Sequence, residues 1–333
     1  MNINFFFRKA LKTGFGRLMG GFSSWLLKDK VTIFNYHEIS QQPSEFTNQF
    51  NLNVTPDVFD FQIDFIKKKF NVISPDDLIN NKIPLNAALI TFDDGFSGVY
   101  SNAIPILQKH QVPAIIFLNM KVLKGDLFWA GIITYLCKYD QVFMKYLRKV
   151  TSVDEQVKPA FLSCSNAIVK DYCELYNVKI DSQVRKYVGE FISLRELKEA
   201  DLAKGIYFGN HLDNHYAAIN MSDDELLISY YSNEAELEEY NSYIKLFAFP
   251  FGQQNTCFNI SQVDLMIKAG AAKVFSTHST LNFGNGSYYM HRIPLYQEDS
   301  SPSMMWSRIF YRSVSKLFLI TNHLSNLKRV DIE

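Results

Sequence analysis

Thr91-Phe92-Asp93-Asp94-Gly95 sets two adjacent carboxylates at the end of an apolar run. Two such groups repel each other unless a cation or a shared proton intervenes. Asp-Gly is also a common turn pair, so the segment alone could equally mark a turn or a helix start. A second stretch, YFGNHLDNHY, places His211 and His215 four residues apart after an apolar run. On a helical turn, i and i+4 project from one face, which suits two imidazoles on one metal. With a carboxylate they would form a two-histidine, one-carboxylate site with open positions for water and substrate. Alone, the pair could be two surface histidines; with the paired aspartates in the same chain, the combination points to a metal site. A third stretch, FAFPFG at 247–252, ends an apolar run in the turn Pro250-Phe251-Gly252, which would hold backbone N–H groups near a strand end. An ordinary strand exit has the same appearance.

These residues need a scaffold. Strand-like runs are VTIFNY at 31–36, FNVIS at 70–74, AALITF at 87–92, PAIIFL at 113–118, GIYFGN at 205–210, IKLFAF at 244–249 and AAKVFST at 271–277. Helical spacing is expected over 56–70, from SPDDLI at 74–79, and over 99–109, 222–241 and 261–269. Alternation of strands and helices favours α/β architecture with a parallel sheet, whose strand C-termini are where ligands bind. Residues 125–200 break the rhythm and read as a helical insertion.

Composition narrows the function. The 333 residues are 47% hydrophobic, enough for a sizeable core, with 34 basic and 34 acidic side chains. That balance argues against a dedicated nucleic-acid binder. Cys137, Cys164, Cys173 and Cys257 form no C-x-x-C pair and read as reduced thiols.

The motifs together resemble the polysaccharide deacetylase family, the NodB-homology group or carbohydrate esterase family four. TFDDG matches its first motif, HLDNH the histidine spacing of its second, and FPFG the tail of its R-x-P-Y-G motif. YHEI at 36–39, HRIPL at 291–295 and FW at 128–129 also resemble segments of members, so the likeness runs from about residue 31 to 296. The resemblance implies a distorted (β/α)7–8 barrel and a divalent metal, zinc first, with cobalt, nickel or iron as alternatives. It implies a hydrolase removing N-acetyl groups from a glycan, either a polysaccharide or a lipid-linked oligosaccharide. Asp94, His211 and His215 would hold the metal, Asp93 would be the base, and a backbone N–H near Phe251, in the Pro250–Gly252 turn, would hold the oxyanion. Three positions depart from the pattern. Leu212 replaces a Ser or Thr, Ala248 stands where many members have Arg, and the C-terminal Leu-x-x-His motif is not evident. The acid is therefore expected at His37, with His278 and His291 as alternatives. An O-acetyl esterase, a small-molecule amidase and a non-catalytic glycan-binding protein are the rival functions.

Residues 31–300 are the expected catalytic unit. Residues 1–30 mix Arg8, Lys9, Lys12, Arg17, Lys28 and Lys30 with Phe5, Phe6, Phe7, Leu11, Phe15, Leu18, Met19, Phe22, Trp25, Leu26 and Leu27. Such a segment suits a membrane surface or packing on the domain. Residues 301–333 repeat the amphipathic helical theme. With no secretory signal pattern and no spanning run, the expected location is cytoplasmic, with peripheral membrane contact through residues 1–30.

Overall fold

The computed structural model describes residues 3–150, 166–284 and 286–310, residues 3–11 as backbone alone. Cys164 and the C-terminal residues Arg312, Lys316, Leu317, Phe318 and Leu319 lie outside the described residues. In chain order the strands are β1 (Lys30–Tyr36), β2 (Glu38–Ile39), β3 (Asn53–Val54), β4 (Asn71–Val72), β5 (Ala87–Asp93) and β6 (Ala114–Leu118). They continue with β7 (Ile206–Asn210), β8 (Tyr243–Ala248), β9 (Lys273–Ser276), β10 (Asn282–Phe283), β11 (Tyr289–His291) and β12 (Ile293–Pro294). The helices are α1 (Ile3–Leu26), α2 (Glu45–Gln49), α3 (Pro56–Lys69), α4 (Pro75–Ile79), α5 (Ile104–His110), α6 (Met120–Leu123) and α7 (Trp129–Tyr139). After them come α8 (Phe143–Val150), α9 (Asn166–Leu175), α10 (Ser182–Val188), α11 (Leu194–Asp201), α12 (Asp223–Leu237) and α13 (Ile260–Lys268). Residues 302–310 are also helical.

Local chemistry sets these boundaries. α3 opens with Pro56 and Asp57 and ends on Lys67, Lys68 and Lys69, which complements its dipole at both ends. The expected strand at 70–74 shrinks to β4. Ser74 instead caps α4, with Asp77 bonding back to the Ser74 N–H in a capping box. The expected helix at 99–109 begins as a wider π turn over Val99–Ala103 before α5. Pro105 has no N–H for the regular ladder there. Between residues 125 and 200 the described elements are the helices α7 to α11, with Phe191 contributing one isolated β-bridge to Phe96.

The main sheet curls into a distorted barrel. Parallel pairings run from β1 to β5, then β6, β7, β8 and β9. β11 pairs parallel with β9, and one residue later β12 pairs parallel with β1. The strand spanning residues 289–294 thus closes the circuit, with Arg292 between its two pairings. Side-chain alternation divides the core in two. Val31, Ile33, Ala87, Leu89, Ile115, Phe117, Leu246, Ala248, Phe275 and Met290 form one cluster inside the barrel. Phe34, Tyr36, Ala88, Ile90, Phe92, Ala114 and Ile116 point outward against α3 and α5. On β5, the inward series Ala87, Leu89, Thr91, Asp93 passes from apolar to polar towards the C-terminal rim. All seven residues of β5 are buried, as expected of a strand covered on both faces.

Candidate active site

Every site residue lies at or just beyond the C-terminal end of a barrel strand. Asp93 ends β5, and Asp94 follows with a left-handed φ of 71°. Gly95, at φ 74°, donates its N–H to the Asp93 carbonyl at 2.9 Å, turning the chain sharply. This bend sends the two neighbouring carboxylates in different directions.

Asp93 turns into the barrel. Arg292 Nη1 donates to Asp93 Oδ1 at 2.6 Å and Nη2 to Oδ2 at 2.8 Å. Asn35 Nδ2 also donates to Oδ2, at 3.1 Å, and Asn35 Oδ1 in turn accepts from Arg292 Nη1 at 3.0 Å. The Arg292 guanidinium lies over the Phe117 ring, 5.3 Å from its centroid. Burial pushes the Asp93 carboxyl up, but Arg292, His211 and His37 outweigh it and hold the group below its ordinary value. Asp93 is therefore ionised.

Asp94 turns to the histidines. His215 Nε2 is 3.0 Å and His211 Nε2 3.5 Å from Asp94 Oδ1. His211 Nδ1 lies 2.7 Å from the Ala248 carbonyl. A carbonyl only accepts, so Nδ1 carries the proton and Nε2 presents its lone pair. Asp94 Oδ1 is buried and receives no aligned hydrogen bond, and the buried Nδ1 of His215 also has no partner among the described residues. One ligand atom from each of Asp94, His211 and His215 falls within 4.8 Å of the others, all three residues buried. Lone pairs gathered on one buried point suit a cation, and an Asp-His-His set suits zinc or a similar divalent metal. Burial raises the Asp94 carboxyl, but the flanking His215 and His211 hold it well below its ordinary value.

The histidines do not share a helical turn, as their spacing suggested. They sit in a loop in which Leu212 and His215 adopt φ of 61° and 55°. Side-chain bonds replace a helical ladder there. Asn210 Oδ1 accepts from the Leu212 N–H at 2.9 Å and from Asn233 Nδ2 at 2.9 Å, and Asn119 Nδ2 donates to the Leu212 carbonyl at 2.9 Å. Trp129 Nε1 donates to the Asn214 carbonyl at 2.8 Å. Leu212 is fully buried in an apolar cluster with Phe247 and Phe249. The orienting role expected of a hydroxyl there falls to the Ala248 carbonyl.

His37 follows β1, with Nε2 3.9 Å from Asp93 Oδ2. Burial lowers its pKa more than Asp93 and Asp94 raise it. It shares with Asp93, Asp94, His211 and His215 a pocket of about 570 Å³, walled by Phe46, Phe50, Leu52, Phe128 and Phe251. His278 is exposed and His291 lies 2.8 Å from Ser276 Oγ; their rings face each other 5.4 Å apart, and neither lines the pocket. Of the Pro250-Phe251-Gly252 turn, Phe251 lines the pocket, its ring 4.7 Å from that of His215. Gly252 has φ 64°, and a Cβ there would stand 2.9 Å from the Thr277 backbone nitrogen, so this turn requires glycine. A larger cleft of about 1040 Å³, lined by Glu38, Tyr135, Tyr139 and Tyr187, contains none of these aspartates and histidines. Volume alone does not locate the chemistry. Glu38 there accepts from the Gly98 N–H at 3.1 Å, and burial pushes its carboxyl up to about 7.

Two features escaped the sequence. Arg292 supplies the partner that Ala248 cannot, from the strand at 289–294, which is separated from β5 by β1; its only local signal was the HRIPL segment. Asn35, within VTIFNY, read as one more strand residue.

Residues 81–133, which include both aspartates and Trp129, match the polysaccharide deacetylase family. Among solved structures, the chain resembles the Streptococcus pyogenes deacetylase PplD, determined in complex with acetate. The TM-score is 0.57 at 19% identity, over 85% of this chain and 99% of that one. It also resembles a de-N-acetylase from Aggregatibacter actinomycetemcomitans, with TM-score 0.55 at 15% identity over 84% and 100% of the two chains. IcaB from Ammonifex degensii gives TM-score 0.54 at 15% identity over 84% and 97%. A search of curated protein sequences yields no match. At these identities the likeness to solved structures is one of fold: the distorted NodB-type barrel.

Proposed function

From a barrel shared with polysaccharide deacetylases and a family match across its paired aspartates, we propose that this chain is a metal-dependent hydrolase that removes N-acetyl groups from a glycan. The observation that carries the proposal is the buried Asp94–His211–His215 cluster beside an Asp93 held by Arg292. In this reading residues 31–300 form the catalytic unit, and Phe128 and Ala130, at the start of α7 in the helical insertion, line its pocket.

Asp94, His211 and His215 would hold a divalent cation, zinc before its alternatives. When bound, the cation supplies Lewis acidity, polarising the acetamide carbonyl and acidifying a water. Asp93, ionised and fixed by Arg292 and Asn35, takes the proton from the attacking water. The backbone N–H of the Phe251 turn faces the oxygen that gains negative charge. His37 protonates the departing amine nitrogen, because an amide anion is too poor a leaving group. The aromatic walls of the pocket suit the apolar face of a sugar ring.

The presence of a histidine donor beside Asp93 favours amide over ester substrates, since an alkoxide needs less help to leave. The non-catalytic reading was motivated by the missing arginine and by the absence of an evident acid motif; Arg292 on Asp93 and His37 in the same pocket weigh against it. The test is acetate release from N-acetylglucosamine oligomers and from O-acetylated sugars, side by side, with metal stripped and zinc then restored. Release from the N-acetyl substrate that follows zinc is expected. Release from the O-acetyl sugars alone would reassign the enzyme as an esterase, and release indifferent to metal would overturn the mechanism.

A further inference from the structure

Helix α1 has two faces, and this chain's described residues account for one. Phe15, Met19 and Leu26 pack against the core cluster that contains Met305, Trp306, Ile309 and Phe310. Gly16 and Gly20 make that approach close. A Cβ at Gly16 would stand 1.7 Å from the Ser303 carbonyl oxygen, and one at Gly20 2.6 Å from the Trp306 ring. The N-terminal helix and the helix at 302–310 are thus seated together on the barrel.

Among the described residues, nothing covers the opposite face. Leu18, Phe22 and Trp25, at i, i+4 and i+7, are 61%, 57% and 76% exposed. Gly14 and Gly21 belong to the same face, and a Cβ on either would meet no atom within 4 Å. Arg17 and Lys28 are exposed beside this stripe. The first 28 residues contain five basic side chains, Arg8, Lys9, Lys12, Arg17 and Lys28, and no acidic one. No helix among the described residues is long and apolar enough to cross a membrane.

We propose that α1 docks in the plane of an anionic membrane surface, with Leu18, Phe22 and Trp25 entering the boundary between headgroups and acyl chains. Arg17 and Lys28 meet the lipid phosphates. Charge selects this occupant: an all-basic segment flanking an apolar stripe is complementary to a sheet of phosphates. Because the Gly16–Gly20 seam already fixes the helix on the barrel, docking needs no release of α1. This inference stands independently of the deacetylase reading, because nothing in it involves the barrel rim.

The test is co-sedimentation of the full chain with phosphatidylcholine vesicles containing or lacking phosphatidylserine. Trp25 fluorescence gives a second readout, since Trp129 and Trp306 are buried and their emission moves little on docking. Expected are binding to the phosphatidylserine vesicles with a blue shift, and little binding to phosphatidylcholine alone. A Leu18→Ser/Phe22→Ser/Trp25→Ser variant should partition at least about tenfold more weakly, and Arg17→Glu/Lys28→Glu about tenfold more weakly. Thermal melts of both variants check that these exposed substitutions leave the fold intact. Wild type remaining in the supernatant, or equal binding by the triple variant, would overturn the proposal. So would a wild-type dimer that ignores vesicles and that the triple variant converts to monomer, since the face would then join two copies.

Discussion

Arg292 grips Asp93 through both arms of its guanidinium, at 2.6 and 2.8 Å, while the adjacent Asp94 receives no such partner and faces two imidazoles. Two carboxylates one residue apart thus meet different counter-charges. One is neutralised by an arginine, and the other meets two imidazoles in a buried set that suits a cation. Their mutual repulsion, evident in the sequence, is resolved by two means rather than by a shared proton.

Breaking the first of these should be costly. Arg292→Met leaves Asp93 buried without its counter-charge, a loss of about 3–5 kcal/mol of stability. Arg292→Lys keeps the charge but not the fork, and its turnover should fall about 10–100-fold, as for the loss of one charged hydrogen bond. Thermal melts and acetate release measure the two effects separately. Wild-type turnover in Arg292→Met would show that Asp93 needs no partner.

Removing the second should act on metal rather than on the base. His211→Ala, His215→Ala and Asp94→Asn should each lower the bound zinc found by elemental analysis. Wild type at zinc concentrations 100 times Kd should gain about 2.7 kcal/mol of stability, and the variants much less. An unchanged zinc-dependent rise in Tm in all three would place the metal elsewhere.

His37→Gln separates acid from base. Asp93 still takes its proton, but the amine loses its donor. Activity on N-acetyl substrates should fall about 10²–10⁴-fold, and any activity on O-acetyl sugars should fall less. Equal losses on both would assign His37 to binding instead.

Trp129 ties the insertion to the histidine loop. Trp129→Phe removes the indole N–H that bonds the Asn214 carbonyl but keeps most of the packing against Tyr216 and Phe251. Zinc affinity should drop about fivefold, matching a loss of about 1 kcal/mol. Calorimetric titration of zinc into both proteins reads this directly.

Much of this site is legible in the primary structure because its information is local. The β5 run, the Asp93–Asp94 pair and the two histidines each declare themselves within ten residues. Arg292 does not, because its meaning arises only when the strand at 289–294 comes to lie beside β1. The histidine loop misleads for a related reason. The i, i+4 spacing fits a helix, but Asn210 bonds the Leu212 N–H locally, and Asn119 and Asn233, distant in sequence, bond the Leu212 carbonyl and Asn210, which fixes another backbone path. The meeting of α1 with residues 302–310 is likewise a long-range event, marked only by Gly16 and Gly20.

Glu38 makes stability depend on pH. Its carboxyl titrates near 7 in the folded protein, against 4.5 ordinarily, so the native state holds its proton more tightly than the unfolded chain. Its contribution is complete below pH 4.5 and is lost as pH rises through 7, a difference of about 3 kcal/mol. Glu38→Gln keeps an acceptor for the Gly98 N–H and should flatten this slope, leaving the variant the more stable at pH 8. Denaturant melts from pH 5 to 8 decide it; parallel slopes in the two proteins would show that another group carries the dependence.

The pairing of β12 with β1 joins the strand partners farthest apart in sequence, Phe34 with Ile293 and Asn35 with Pro294. Arg292 sits one residue before that seam, and Asn35 lies within it. A barrel still open at this edge can already bring Asp94, His211 and His215 together across β5 and β7, yet its Asp93 lacks both Arg292 and a fixed Asn35. The seam thus sets the environment of one carboxylate: Asp93 has both of its side-chain partners only where the two ends of the barrel meet.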